Sequence, residues 1–69
     1  MAEPRFLIYF FEGPGRTHKA YYQKGYPPLE QFTSVRKCAW NCPSRVIAVA
    51  REKLLRRRGY AVMIEVTRG

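Results

Sequence analysis

The chain has 69 residues, of which 46% are hydrophobic and 14% aromatic, and thirteen Lys and Arg stand against five acidic residues. A chain of this length predicts one domain, residues 1–69, with a small core and no deep catalytic cleft. The apolar content excludes a disordered tail. The net charge of +8 predicts attraction to nucleic acid, an anionic membrane surface or an acidic protein. The alternative is that the charge serves solubility alone.

The longest apolar run covers only residues 6–11. A bilayer span needs about twenty apolar residues, and a signal peptide also needs a longer core, so we expect an intracellular, cytoplasmic protein with no membrane association. Cys38 and Cys42 are too few for a disulfide scaffold, and we expect free thiols in a reducing compartment.

The first third of the chain predicts a β-hairpin. Residues 5–12 are aromatic and β-branched and predict a strand, and Gly13, Pro14 and Gly15 supply a turn. Residues 16–24 can then run back antiparallel. The glycine and two prolines in residues 25–28 break the pattern and predict a loop.

The remaining residues predict a strand, a helix and a strand. Residues 32–40 give conflicting signals and are assigned to a short strand. A helix follows over residues 43–58, with Pro43 in its first turn, Asn41 or Cys42 next to the cap, and Gly59 at its end. Residues 60–67 alternate as a half-buried strand does.

The element order therefore predicts an α+β fold, in which one helix packs on one face of a sheet of three or four strands. The helix is expected to act as a crossover that returns the last strand parallel to a neighbour. Because one helix covers only one face, the other face is expected to be open.

The hairpin register predicts what each face carries. If Glu12 lies opposite Arg16, one face holds a nearly pure core. The other face interleaves aromatic and basic residues, and it carries Arg5, Leu7, Tyr9, Phe11, Thr17, Lys19, Tyr21 and Gln23. The alternative is a register shifted by one residue, in which these side chains are simply core.

An open face of this kind suits single-stranded nucleic acid, because bases stack on aromatic rings while Lys and Arg meet the phosphates. It suits a protein partner equally well, or a second copy of the chain in a homodimer.

The helix predicts an apolar stripe of Val46, Ile47, Ala50 and Leu54 facing the sheet. Its cations encircle it. The run 56–58 has two interpretations: a surface for an anionic partner, where it would hold phosphates and not read bases, or the charged end of a helix that opposes the helix dipole.

The sequence offers little chemistry for catalysis. It contains no aspartate, one histidine and five scattered glutamates, so it predicts neither a carboxylate pair nor a Ser-His-Asp site. With His18, the two cysteines make only three candidate ligands for a tetrahedral metal. We therefore expect a protein that is not an enzyme and has neither a metal nor a cofactor.

Two functional hypotheses remain. The first is a small basic binding module that acts on nucleic acid or on a nucleic-acid-handling complex. The second is a protein-interaction or inhibitor module, since in length and element order the chain resembles small phage-encoded inhibitors, anti-CRISPR proteins among them. The predicted binding residues are Arg5, Tyr9, Phe11, Lys19, Tyr21, Arg45, Arg56, Arg57 and Arg58.

Overall fold

The computed structural model describes residues 3–68, with only the backbone of Arg68. In chain order the elements are strand β1 (Pro4–Glu12), strand β2 (His18–Lys24), strand β3 (Gln31–Thr33), helix α1 (Arg45–Arg58) and strand β4 (Met63–Arg68). The strands form one antiparallel sheet in the order β3-β2-β1-β4, and α1 packs on one face of it. The predicted α+β fold is confirmed.

The hairpin register differs from the predicted one by two residues. Glu12 pairs with His18 instead of Arg16, because residues 13–17 all belong to the connection, which contains a 3-10 turn over Pro14–Arg16. Side chains alternate between the two faces along a strand, so a shift of two leaves the side chains of both strands on their predicted faces, whereas Thr17 lies in the connection and belongs to neither face. The assignment of residues to the two faces is therefore correct although the register is not.

The third strand is shorter than predicted and ends at Thr33. The chain then forms a 3-10 turn at Arg36–Cys38 and reaches the gap where β1 and β2 diverge. There the amide of Trp40 donates to the carbonyl of Tyr22 at 2.8 Å, and Phe6 and Cys42 exchange two backbone hydrogen bonds of 2.8 and 3.1 Å. Residues 34–42, the crossing segment, thus satisfy backbone groups that the diverging strands leave free.

The last strand runs antiparallel to β1, so the predicted parallel return is wrong. The crossing segment is the reason. It runs opposite to β1 where Cys42 pairs with Phe6, so α1 begins beside the start of β1 and runs along it. The chain then reverses at Gly59, whose φ of 109° suits glycine, and β4 descends beside β1.

Helix α1 begins two residues later than predicted. Ser44 is its N-cap and accepts a hydrogen bond from the amide of Ile47 at 3.4 Å. Neither Asn41 nor Cys42 serves as the cap, because Cys42 is held in the bridge to β1.

The predicted apolar stripe does not face the sheet. Val46 is 79% exposed and Ile47 is also exposed, whereas Ala48 and Leu55 are fully buried. The prediction failed because it took the most apolar side of the helix as the buried side, whereas Arg51 points toward the sheet and contacts Tyr22. The helix is therefore rotated relative to the orientation that its most apolar side predicts.

The core lies between α1 and the face of the sheet that we call the helix-side face. Ile8, Tyr22, Leu55 and Val62 are its fully buried centre. Aromatic side chains close the cluster around them, with ring centroids 4.7 to 5.8 Å apart: Phe10, Phe32, Trp40 and Tyr60. No helix in the described part of the chain is long and apolar enough to cross a membrane.

Candidate functional site

The opposite face of the sheet, which we call the open face, is only partly open. Leu7 is 4% exposed and Tyr21 is 6% exposed. Leu7 lies beneath the crossing segment, and Tyr21 lies between Tyr9 on β1 and Thr33 on β3. The buried Tyr21, which the sequence predicted to bind a partner, is therefore placed to pack and not to make contacts beyond the molecule.

The accessible residues on this side form a cluster that we call the aromatic-basic patch. It consists of the half-buried Tyr9, Lys19 and Glu65 and the exposed Phe11, Arg36 and Met63. The rings of Tyr9 and Phe11 meet edge to face, with centroids 5.6 Å apart. Phe11 and Met63 are each 38% exposed. The strands hold these apolar groups in fixed positions at the surface.

Two cations and one carboxylate organise the patch. The Nζ of Lys19 lies 4.6 Å from the centroid of Tyr9 and 5.9 Å from that of Phe11. It also pairs with Glu65 at 3.1 Å, and Arg36 pairs with the other oxygen of Glu65 at 2.8 Å. Glu65 therefore holds Lys19 of β2 and Arg36 of the crossing segment in place on the open face.

The pKa values of this cluster follow from those contacts. The hydrogen bond to Glu65 raises the pKa of Lys19. Burial acts to raise the pKa of Glu65, but the hydrogen bonds from Lys19 and Arg36 outweigh it and the pKa is lowered. Lys19 and Glu65 are therefore both charged at neutral pH, and their ion pair persists.

A shallow depression adjoins the patch. Leu7 forms its floor, and around it stand polar and basic side chains, Arg36, Lys37, Asn41 and Thr67, together with Ala39. Arg5 is half-buried and lies directly opposite Thr67 in the sheet register, so it extends the basic surface along the strand. The depression offers guanidinium, ammonium, amide and hydroxyl donors to an anion.

The three arginines at the end of α1, residues 56–58, differ in the contacts that they make. Arg56 donates to the carbonyl of Val62 at 2.7 Å and pairs with Glu52 at 3.6 Å. Arg58 lies 3.5 Å from Glu30, whose side chain is 2% exposed. Both therefore connect the helix end to neighbouring segments.

Arg57 differs from its two neighbours. It is exposed, and no acidic side chain within residues 3–68 pairs with it. Arg45 is likewise exposed, in the first turn of the helix. Because α1 covers the helix-side face, these two arginines lie across the sheet from the aromatic-basic patch. The predicted binding residues thus belong to two separate surfaces.

Arg51 is a structural residue that the sequence did not single out. Its guanidinium donates to the hydroxyl of Tyr22 and to the carbonyl of Gly25, the latter at 3.2 Å. It stacks over Tyr26 at 3.9 Å from the ring centroid and lies 5.0 Å from that of Trp40. This one side chain ties the helix to the loop after β2 and to the crossing segment.

Gly25 is required for that contact. Its φ is 93°, and a Cβ placed on it would lie 2.6 Å from the carbonyl oxygen of Leu29. Only glycine therefore permits the loop to fold tightly enough to direct its carbonyl at Arg51 and Tyr22.

The sequence did not predict three members of the aromatic-basic patch, Arg36, Met63 and Glu65, nor Lys37 in the depression beside it. Strand alternation carried a usable signal for Met63 and Glu65, because residues 63 and 65 share one face of the last strand. Arg36 and Lys37 had no such signal. Their position depends on how residues 34–42 cross the sheet, which no local pattern specifies.

The described residues show no group of three His, Cys, Asp or Glu that could hold a metal ion. The structure shows no disulfide between the two cysteines, with Cys38 exposed and Cys42 buried. Comparison with known protein families, curated proteins and solved structures finds no match to this chain. The surface chemistry alone therefore has to support any functional proposal.

Proposed function

We propose that this protein is a non-enzymatic module that binds single-stranded nucleic acid through the aromatic-basic patch. The observation that carries the proposal is the placement of the partly exposed Tyr9 and Phe11 rings beside ordered cations on a rigid sheet. We propose no cofactor for it.

The apolar part of the patch suits unpaired bases. Phe11 and Met63 present flat or flexible apolar surface that no other described residue covers fully. A base in a duplex has both π-faces occupied by its neighbours, so only an unpaired base can stack on such a ring. This favours single strands over duplexes.

The charged part suits the phosphates. Among the residues that the structure describes, the cations Arg5, Lys19, Arg36 and Lys37 on this face stand against the carboxylate of Glu65. Glu65 holds Lys19 and Arg36 on this face, and it also competes with phosphate for them. The depression beside the patch offers further hydrogen-bond donors.

The test is a fluorescence-anisotropy titration with a labelled oligothymidine and a duplex of equal length at two salt concentrations. If all four cations meet phosphates, the slope of log K against log salt is about −3, so a fourfold rise in salt weakens binding about 50-fold. A binding constant that does not change with salt concentration, or the absence of binding at low salt, contradicts the proposal. Either result favours the protein-interaction or inhibitor hypothesis.

Two variants test whether the patch is the binding surface. Phe11→Ala should weaken binding by about 1–3 kcal/mol, the value of one stacked base. Glu65→Gln should tighten binding and steepen the salt dependence, because it removes the one anion that competes with phosphate for Lys19 and Arg36. Leu29→Ala is the matched control, since Leu29 is 80% exposed and lies outside the patch.

A further inference from the structure

Helix α1 carries a second exposed surface on its outward side, the outer helix stripe. It consists of Arg45, Val46, Val49, Ala50, Lys53 and Arg57. At about 100° per residue these side chains fall in one sector, which lies largely on the side of the helix away from the buried Ala48 and Leu55. The stripe therefore points away from the sheet.

The centre of the stripe is apolar and its ends are basic. Val46 and Ala50 are exposed, Val49 is half-buried, and with Arg45 and Lys53 they line a shallow groove. Arg57 continues the same row one turn further. Neighbouring exposed apolar groups rimmed by charge are typical of a protein interaction site.

The charge of α1 argues against a second copy of this chain as the occupant. The helix holds six cations, at positions 45, 51, 53, 56, 57 and 58, against Glu52 alone. Two copies packed antiparallel about Val49 would place Arg45 of one opposite Lys53 of the other. Such like-charge pairs oppose self-association and favour a partner with carboxylates at these positions.

We propose that the outer helix stripe docks an acidic amphipathic helix of a partner protein. Its apolar row would cover Val46, Val49 and Ala50, and its flanking carboxylates would meet Arg45, Lys53 and Arg57. The stripe spans about 18 Å from residue 45 to residue 57, which a helix of about 12 residues matches. A single helix pair of this size buries a small interface, so the complex is weak and transient.

This surface is independent of the proposed nucleic-acid site. The two lie on opposite sides of the sheet, because α1 covers the helix-side face and the aromatic-basic patch occupies the open face. The protein can therefore hold a strand on one side and a protein helix on the other. The two proposals are tested with different probes, peptides for the stripe and oligonucleotides for the patch.

The probes for the test are three synthetic peptides of about 16 residues. The acidic probe carries leucines at helical spacing flanked by glutamates, the second probe replaces the glutamates by lysines, and the third replaces the leucines by glutamines. Anisotropy with the full chain should give binding of the acidic probe and at least about tenfold weaker binding of the other two.

Variants locate the site. Val46→Ser and Arg57→Gln should each weaken the acidic probe several-fold, whereas the matched controls Val35→Ser and Arg16→Gln, which alter exposed residues elsewhere, should not. Lys53→Glu should lower the preference for the acidic probe over the lysine probe, a change of selectivity that a loss of folding cannot produce. Circular dichroism verifies that each variant is folded.

Three results would overturn the proposal. The first is equal or absent binding of the acidic and lysine probes. The second is a concentration-dependent dimer that Val46→Ser abolishes, which would make a second copy the occupant. The third is loss of oligonucleotide binding in Val46→Ser, which would make the stripe a nucleic-acid surface.

Discussion

The two faces of the sheet are built from the same two kinds of residue, aromatic and basic, and use them differently. On the helix-side face Arg51 is enclosed by Tyr22, Tyr26 and Trp40 and hydrogen-bonds to buried groups. On the open face Lys19 lies over Tyr9 and Phe11 with its ammonium group partly exposed.

The difference shows that burial, and not residue type, decides the role of a cation beside aromatic rings. A cation packed between the helix and the sheet stabilises the fold, whereas one at the surface is available to a ligand. On the helix-side face Arg51 donates hydrogen bonds to the Tyr22 hydroxyl and the Gly25 carbonyl. Leaving such groups without hydrogen bonds would destabilise the fold. On the open face water already solvates the cation, so its contacts contribute little to stability. Substitutions on the two faces should therefore separate stability from binding.

The largest expected difference in the free energy of unfolding is between a substitution in the core and one in the aromatic-basic patch. Leu55→Ala should lower the free energy of unfolding by about 3 kcal/mol, because Leu55 is fully buried and the cavity would lie in the centre of a small core. Phe11→Ala should cost about 1 kcal/mol or less, since Phe11 is partly exposed. Urea denaturation measures both. Equal losses would mean that the open face is as structural as the covered one.

A smaller effect compares the arginines of the two faces. Arg51→Ala should lower the free energy of unfolding by about 1–3 kcal/mol, because it removes a donor from the Tyr22 hydroxyl and the Gly25 carbonyl. Arg36→Ala should cost only about 0–1 kcal/mol, the usual value for an exposed ion pair.

Arg51→Lys refines that comparison. Lysine keeps the charge but cannot stack a planar group on Tyr26 or donate two hydrogen bonds in the same geometry, so it should recover only part of the loss. Thermal unfolding of the three variants gives the order. Full recovery by lysine would show that charge alone matters.

The smallest effect concerns acid stability. The pKa of Glu30 is lowered below the ordinary 4.5, chiefly by a hydrogen bond from the backbone amide of Glu30 itself. Tyr60 and Arg58 also lower this pKa, although burial acts to raise it. A carboxyl with a lowered folded-state pKa adds stability above its unfolded pKa, and this stability is lost as pH falls through the folded value. We therefore expect the chain to lose stability below about pH 4.5.

Glu30→Gln should flatten this acid dependence, and Glu65→Gln should flatten it less. Glu30 lies almost wholly out of solvent beside Arg58, whereas water reaches Glu65 and screens its pairs. Unfolding followed between pH 3 and 7 distinguishes the two. A larger effect from Glu65→Gln would mean that Glu65, and not Glu30, is the carboxylate that contributes more to acid stability.

Much of the fold could be predicted from local sequence. The aromatic run of residues 5–12, the glycine at the helix end and the alternation near the C-terminus identify β1, the end of α1 and β4, because backbone preference and side-chain periodicity act over a few residues. Side-chain periodicity also explains why the hairpin residues were assigned to the correct faces of the sheet although the predicted register was wrong. Tyr9, Phe11 and Lys19 therefore occupy the face assigned to them.

The sequence by itself determined the two strands of the hairpin, the helix and the last strand, the division of residues between the faces of the hairpin and the excess of positive charge. Only the tertiary structure decided which side of α1 is buried, the direction of β4, and which cations remain available for a partner. Each of these depends on the path of residues 34–42 and on the inward turn of Arg51, where contacts distant in sequence outweigh local preference. Pattern arguments assume that charged side chains face water, and here a buried hydroxyl, a carbonyl and two aromatic rings provide Arg51 with an alternative.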